Sequence, residues 1–182
     1  MQLKDYFPNL NKKYNEIFFS GIAFDSSKVK KDNIFFAIKG NKFDGNNYID
    51  NAIKKGAKII ISEKKITKKR KNIVFLYSPN VRKLLAKISF KSLDKKPKKL
   101  VAVTGTNGKS SIADFYYQIL NLNLKKVASI GTLGVRFAGK NKILSNTTSD
   151  PIQLSSILNK LRKKKIDYII MEASSHGLKQ NR

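Results

Sequence analysis

The sequence predicts an α/β fold in two parts: a small N-terminal α/β unit over residues 1–96, and a parallel-sheet domain wrapped by helices over residues 97–182. Three observations carry this. Short runs of β-branched and aromatic residues alternate with stretches whose apolar residues recur at helical spacing. A polar, proline-bearing segment, Asp94-Lys95-Lys96-Pro97-Lys98-Lys99, separates two regions of different rhythm. Beyond it, strand, loop and helix follow one another regularly, as parallel strands require because each needs a crossover.

Taken in order, Ile34-Phe35-Phe36-Ala37-Ile38 is expected to be a strand. Tyr48, Ile49, Ala52 and Ile53 fall on one helical face, and Gly56 stands where that helix would end. Lys58-Ile59-Ile60-Ile61 and Ile73-Val74-Phe75-Leu76-Tyr77 read as buried strands joined by a lysine-rich connection. Ser78-Pro79 is expected to open a helix that carries Val81, Leu84, Leu85 and Ile88 on one face. In the second part, residues 100–104 form a strand, and Ile112, Phe115, Tyr116, Ile119 and Leu120 make a helical face. Residues 127–130 form the next strand. Asp150-Pro151-Ile152-Gln153 is a helix start: an acidic cap, proline in the first position and a glutamine able to reach back. Leu154, Ile157, Leu158 and Leu161 continue that helix, and residues 166–171 are a strand. No internal repeat is present.

Composition narrows the class. The chain has 182 residues, 41% of them hydrophobic and 27% charged, which supports a packed core and argues against wholesale disorder. No apolar run approaches the ~18 residues of a membrane span. The N-terminus lacks a basic region followed by an apolar stretch, so it is not a secretory signal. Cysteine is absent, which excludes disulfides and thiolate metal sites and fits a cytoplasmic location. The formal charge of +26 has two readings, nucleic-acid binding or lysines that solvate the surface. The second is favoured. The lysines lie between hydrophobic segments along the whole chain, with no helix-turn-helix or aromatic-and-basic motif, so nucleic acid is not expected as a partner.

The segment Val101-Ala102-Val103-Thr104-Gly105-Thr106-Asn107-Gly108-Lys109-Ser110-Ser111 joins a strand to a helix. Glycines let backbone N–H groups approach phosphate oxygens, and the helix adds its positive N-terminal end. Lys109 suits the neutralisation of β- and γ-phosphate charge, and the Ser110 hydroxyl suits Mg²⁺. The strict G-x-x-x-x-G-K-[ST] pattern is not met, because Val103 stands at the first glycine position. Even so, strand, loop and helix fall where a phosphate loop requires them. Glu172 follows the strand at 166–171, at the carboxyl end where ligands of open α/β sheets gather and where an acidic group can hold a metal.

Three motifs then resemble one family. Thr104-Gly105-Thr106-Asn107-Gly108-Lys109-Ser110-Ser111 resembles the phosphate loop of the Mur ligases and of the related folylpolyglutamate synthases. Asn146-Thr147-Thr148-Ser149-Asp150-Pro151 resembles the N-T-T segment of the Mur ligases of UDP-N-acetylmuramoyl-tripeptide synthetase type. Met171-Glu172-Ala173-Ser174-Ser175-His176-Gly177-Leu178, followed by Gln180 and Arg182, resembles their E-x-S-S-H-G-L segment. Phe24-Asp25-Ser26-Ser27, Gly40 and Phe43-Asp44-Gly45 resemble their N-terminal UDP-binding domain.

The resemblance covers nearly the whole chain. It implies an N-terminal UDP-binding domain at 1–96 and a truncated P-loop ATPase domain at 97–182. The implied reaction is ATP-dependent addition of a diamino acid, meso-diaminopimelate or lysine, to UDP-MurNAc-L-Ala-D-Glu through an acyl phosphate, in peptidoglycan synthesis.

By the same resemblance, Phe24, Ser26, Asn41, Lys42 and Phe43 match positions that hold UDP. Asn146, Thr147, Thr148, Ser174, Gln180 and Arg182 match those that hold the muramoyl-dipeptide. Gly105, Thr106, Asn107, Gly108, Lys109, Ser110 and Ser111 match the ATP site; Lys109 and Glu172 match catalytic positions, and Ser110 and Glu172 the Mg²⁺ ligands. Asn41-Lys42 replaces a common His-Gln, and Ser110-Ser111 a common Thr-Thr. His176, the only histidine, resembles a motif residue that shapes the substrate loop. The family's further metal-binding histidine, its modified lysine and its amino-acid-binding domain have no counterpart in the sequence. The expectation is a fragment without ligase activity of its own. The readings set beside it are a folylpolyglutamate-synthase-like ligase and a basic P-loop module that binds nucleotide or nucleic acid.

Overall fold

A computed structural model describes residues 1–7, 10–40, 43–66, 70–144 and 146–181. The chain forms two compact units, Met1–Lys91 and Ser92–Arg182.

The first unit is built on a parallel sheet. Its elements are α1 (Leu3–Tyr6), β1 (Gly21–Ala23), β2 (Asn33–Ala37), α2 (Ile49–Lys54), β3 (Ala57–Ser62), β4 (Val74–Tyr77) and α3 (Val81–Lys91). The strands lie in the order β1-β2-β3-β4, every neighbouring pair parallel. A parallel strand covered on both faces needs apolar residues at successive positions, not at alternate ones. All five residues of β2 are buried, as that requires. Phe35 and Ala37 pack with Ile60 and with Ala52 of α2 on one face. Ile34 and Phe36 point to the other face by the period of two, and α3 packs against β2. Two expectations are corrected. The strand read at 73–77 is the sheet edge, so its residues are only half-buried and Tyr77 is exposed, where burial was expected. The helix read from Ser78-Pro79 is capped by Asn80, whose side chain accepts from the Lys83 N–H at 2.8 Å.

The second unit comprises β5 (Lys99–Val103), α4 (Lys109–Leu122), β6 (Val127–Gly131), β7 (Gly134–Phe137), β8 (Lys140–Lys142), α5 (Pro151–Lys163), β9 (Tyr168–Glu172) and α6 (Ser175–Lys179). Strand order is β5-β9-β6-β7-β8. The pairs β5–β9 and β6–β9 are parallel, whereas β6–β7 and β7–β8 are antiparallel. The expected all-parallel sheet is therefore mixed. Its antiparallel extension closes through a two-residue turn at Ala138 and Gly139, both at positive φ, the geometry that matches strand twist in a tight hairpin. Leu158 and Leu161 of α5 are buried against Ala128, Ile130, Ile169 and Met171.

The face read on α4 also differs from expectation. The helix buries Ala113 and Tyr117, while Ile112, Phe115 and Ile119 are 55%, 61% and 59% exposed. Helical spacing shows which apolar residues share a face; it does not show which face meets the sheet. The opposite choice is held by Arg136 of β7, which pairs with Asp114 and lies over the Tyr117 ring at 4.8 Å.

Asp150 accepts from the Gln153 N–H at 2.9 Å and caps α5. Asp150→Ala is expected to lower the stability of the second unit by about 1 kcal/mol, and an unchanged denaturation midpoint would contradict the cap. The carboxyl of Asp167 is held below its ordinary value, chiefly by the hydrogen bond from Arg162, with Lys98 at 3.3 Å assisting. A carboxylate held down in the fold adds stability above its unfolded value and loses it as pH falls through the folded one. Thermal melts are expected to worsen on acidification below about pH 4, and less so in Asp167→Asn; equal acid sensitivity in both proteins would count against this.

Candidate phosphate and metal site

The site grows from strand register. Since β5, β9 and β6 run parallel, their carboxyl ends lie at one edge of the sheet. Val103, the last residue of β5, pairs with Glu172, the last of β9. Directly after β5 comes the glycine loop, and Gly108 caps α4 at φ +77, a left-handed conformation that a side chain would strain. The first-turn N–H groups of α4 have no intrahelical acceptors and point out over the loop. Lys109 folds back across it, its Nζ donating to the carbonyls of Gly105 at 2.7 Å and Thr106 at 3.2 Å.

Glu172 is 3% exposed. Its Oε2 accepts from Ser110 Oγ at 2.9 Å and Thr132 Oγ1 at 3.0 Å, and its Oε1 accepts from the Thr132 N–H at 2.9 Å. Gly131, which ends β6, makes room for this carboxylate: a Cβ there would lie 2.1 Å from Oε1. The 146–148 segment joins from the other side. Thr147 Oγ1 is 3.0 Å from Thr132 Oγ1. Thr148 Oγ1 accepts from the Ser174 N–H at 3.0 Å and lies 3.1 Å from Ser174 Oγ. Ser174 in turn caps α6 by accepting from the Gly177 N–H at 3.0 Å.

The structure thus brings the loop, Lys109, Ser110, Glu172, Thr147, Thr148 and Ser174 to one end of the second unit. Asn146 is exposed beside them. Gln180 sits one turn beyond His176, with Nε2 at 2.8 Å from the His176 Nε2, and its Oε1 is buried with no hydrogen-bond partner among the described residues. In the first unit, Phe24 and Ser26 follow β1, and Phe43 lies beyond β2, the adjacent parallel strand. Ser26 is buried, whereas Phe24 and Phe43 are 37% and 69% exposed. Asn41, Lys42 and Arg182 lie outside the described residues. Sequence reasoning missed Gly131 and Thr132; the available signal was a glycine and a hydroxyl residue directly after an apolar run.

No group of three or more His, Cys, Asp or Glu side chains gathers among the described residues. A metal here would draw on oxygen donors from Ser110 and Glu172. These suit Mg²⁺: two cis oxygens at octahedral Mg²⁺ distances lie about 2.9 Å apart, the separation of Ser110 Oγ from Oε2. No described helix is long and apolar enough to cross a membrane.

A glycine loop between a parallel strand and a helix, with a hydroxyl after its lysine and a carboxylate ending the neighbouring strand, defines a phosphate-loop α/β domain. Comparison with known proteins narrows the class. The family model described as "Mur ligase middle domain" matches residues 103–182, and that described as "Mur ligase family, catalytic domain" matches residues 19–89. The chain belongs to the Mur ligase family and carries its N-terminal and middle domains.

Similar relatives are named UDP-N-acetylmuramoyl-L-alanyl-D-glutamate–2,6-diaminopimelate ligase. That of Fusobacterium nucleatum is 38% identical over 99% of this chain and 36% of its own length. That of Buchnera aphidicola is 41% identical over 90% and 35%. A solved structure of a ligase of that name superposes with a TM-score of 0.81 at 27% identity, over 100% of this chain and 37% of the other. The MurF ligase of Thermotoga maritima in complex with ADP gives 0.57 at 25% identity, over 85% and 32%. The chain spans about a third of the length of these relatives.

Gly131→Ala tests the packing of the site. The added methyl must displace Glu172 from its donors, and a loss of about 1–3 kcal/mol in denaturant stability is expected. An unchanged midpoint would show that the carboxylate lies elsewhere.

Proposed function

We propose that this chain supplies the ATP- and UDP-substrate-binding portion of an amide ligase. The reaction adds a diamino acid, meso-diaminopimelate or lysine, to UDP-MurNAc-L-Ala-D-Glu through an acyl phosphate, in peptidoglycan synthesis. The names of the relatives favour diaminopimelate. The single observation that carries the reading is the 2.9 Å approach of Ser110 Oγ to Glu172 Oε2 at the mouth of the glycine loop.

The chemistry follows from those groups. The D-Glu γ-carboxylate must approach the γ-phosphorus against the charge of the triphosphate. The backbone N–H groups of Gly105, Thr106, Asn107, Gly108 and Ser111 would donate to phosphate oxygens. Lys109 exchanges its two loop carbonyls for β- and γ-phosphate oxygens and so brings a positive charge to the reacting end. Ser110 and Glu172 would hold Mg²⁺, which offsets the remaining phosphate charge. Thr147, Thr148 and Ser174, with Asn146, Gln180 and Arg182, hold the muramoyl-dipeptide so that its carboxylate faces the loop. In the first unit, Phe24 and Phe43 offer exposed aromatic faces to the uracil, with Ser26, Asn41 and Lys42 as polar contacts. Dependence on ATP and a UDP-linked substrate supports a cytoplasmic location for this chemistry.

Calorimetric titration with Mg·ATP tests the reading. Binding by the 182-residue chain is expected, with Lys109→Ala weakening it about 10- to 100-fold through loss of a charged hydrogen-bond donor. UDP-MurNAc-L-Ala-D-Glu is expected to bind as well. Salt-sensitive duplex DNA binding with no response to either ligand would overturn the proposal.

A further inference from the structure

Thr132 belongs to none of the motifs that carry the proposed function, yet both its N–H and its hydroxyl donate to the Glu172 carboxylate, where Ser110 donates once. Its N–H and its hydroxyl hold the two carboxylate oxygens separately, at 2.9 Å on Oε1 and 3.0 Å on Oε2. Two such bonds from one residue fix both the position and the plane of the carboxylate. Since the hydroxyl has one proton and gives it to Oε2, it must accept at its other contact. The Thr147 hydroxyl, 3.0 Å away, is then the donor. A directed chain results, from Thr147 to Thr132 to Glu172, and it links the 146–148 segment to the loop-side carboxylate.

The third donor to Glu172 is the Ser110 hydroxyl, on the same Oε2 that Thr132 holds. If both oxygens turn their lone pairs to a cation, that bond no longer orients the carboxylate. What remains on Glu172 is the pair from Thr132. We propose that Thr132 is the positioning residue of the metal–nucleotide site: it orients Glu172 toward a divalent cation and, through Thr147, couples that orientation to the segment facing the acyl substrate. This inference rests on the proposed reading of Ser110 and Glu172 as metal ligands.

The test compares Thr132→Val, which removes the hydroxyl and keeps the shape, with Thr132→Ser, which keeps the hydroxyl. Thr132→Ala is run beside them so that the result does not hang on the fit of one valine. ATP affinity of the full chain is measured with Mg²⁺ and with chelator. Loss of a hydrogen bond behind a metal ligand typically costs about 10- to 100-fold in metal affinity. Thr132→Val and Thr132→Ala are expected to weaken Mg·ATP binding by about that factor and to leave metal-free ATP binding unchanged, with Thr132→Ser close to the parent protein. Equal Mg·ATP affinity in the parent and Thr132→Val, or equal losses with and without Mg²⁺, overturns the positioning role while the ligase reading stands. A parent chain that binds ATP in neither condition overturns both.

Discussion

A buried carboxylate at the end of a central strand sets the terms for the second unit. An ionised group taken out of water costs several kcal/mol unless donors replace its hydration. Glu172 meets three, and they come from separate places: the start of α4, and the residue after β6 twice. They converge only if β5, β9 and β6 end in step. The parallel register that aligns Val103 with Glu172 is therefore a condition for the carboxylate being buried at all. The same alignment puts the glycine loop, the hydroxyl of Ser110 and the 146–148 segment at one edge. Electrostatics and topology are in this sense one constraint.

The first unit reaches a similar arrangement by other means. Its sheet is held by apolar burial, with β2 and most of β3 enclosed. The loops at the carboxyl ends are held by short acidic caps. Asp25 accepts from the Ser27 N–H at 2.8 Å, and Asp44 from the Asn46 N–H at 2.9 Å. Both carboxyls lie below their ordinary values, Asp25 chiefly through its Ser27 hydrogen bond and Asp44 chiefly through the Asn46 backbone. The caps fix the chain directly after Phe24 and Phe43. In a chain of net charge +26, these few acids gain the support of nearby lysines, Lys28 for Asp25 and Lys64 for Asp44.

Much of this was legible in the sequence, and the failures have physical causes. Residues 34–38, 58–61, 127–130 and 166–171 read as strands because apolar runs of that length are buried on both faces. The strand–loop–helix order around residues 99–122 was legible because an apolar run, glycines and a helical spacing follow one another there. The pair β7 and β8 escaped notice: Arg136, Lys140, Asn141 and Lys142 are polar, and β8 is wholly exposed, so no hydrophobic pattern marks it. On α4, the apolar stripe of Ile112, Phe115 and Ile119 suggested a core face, but a small residue, Ala113, and an aromatic anchored by Arg136 take that place. Thr132 was illegible for a different reason. Its importance lies in a contact across 40 residues of chain, which no local motif records.

The metal-ligand role of Ser110 and Glu172 is tested most directly by a crystal structure of the chain with Mg²⁺ and a non-hydrolysable ATP analogue. One metal is expected, coordinated by Ser110 Oγ and a Glu172 carboxylate oxygen, each at about 2.1 Å, with the terminal phosphates seated on the 105–111 loop and Lys109 turned from its carbonyls onto them. A nucleotide bound away from that loop, or a metal held without Glu172, would contradict that role.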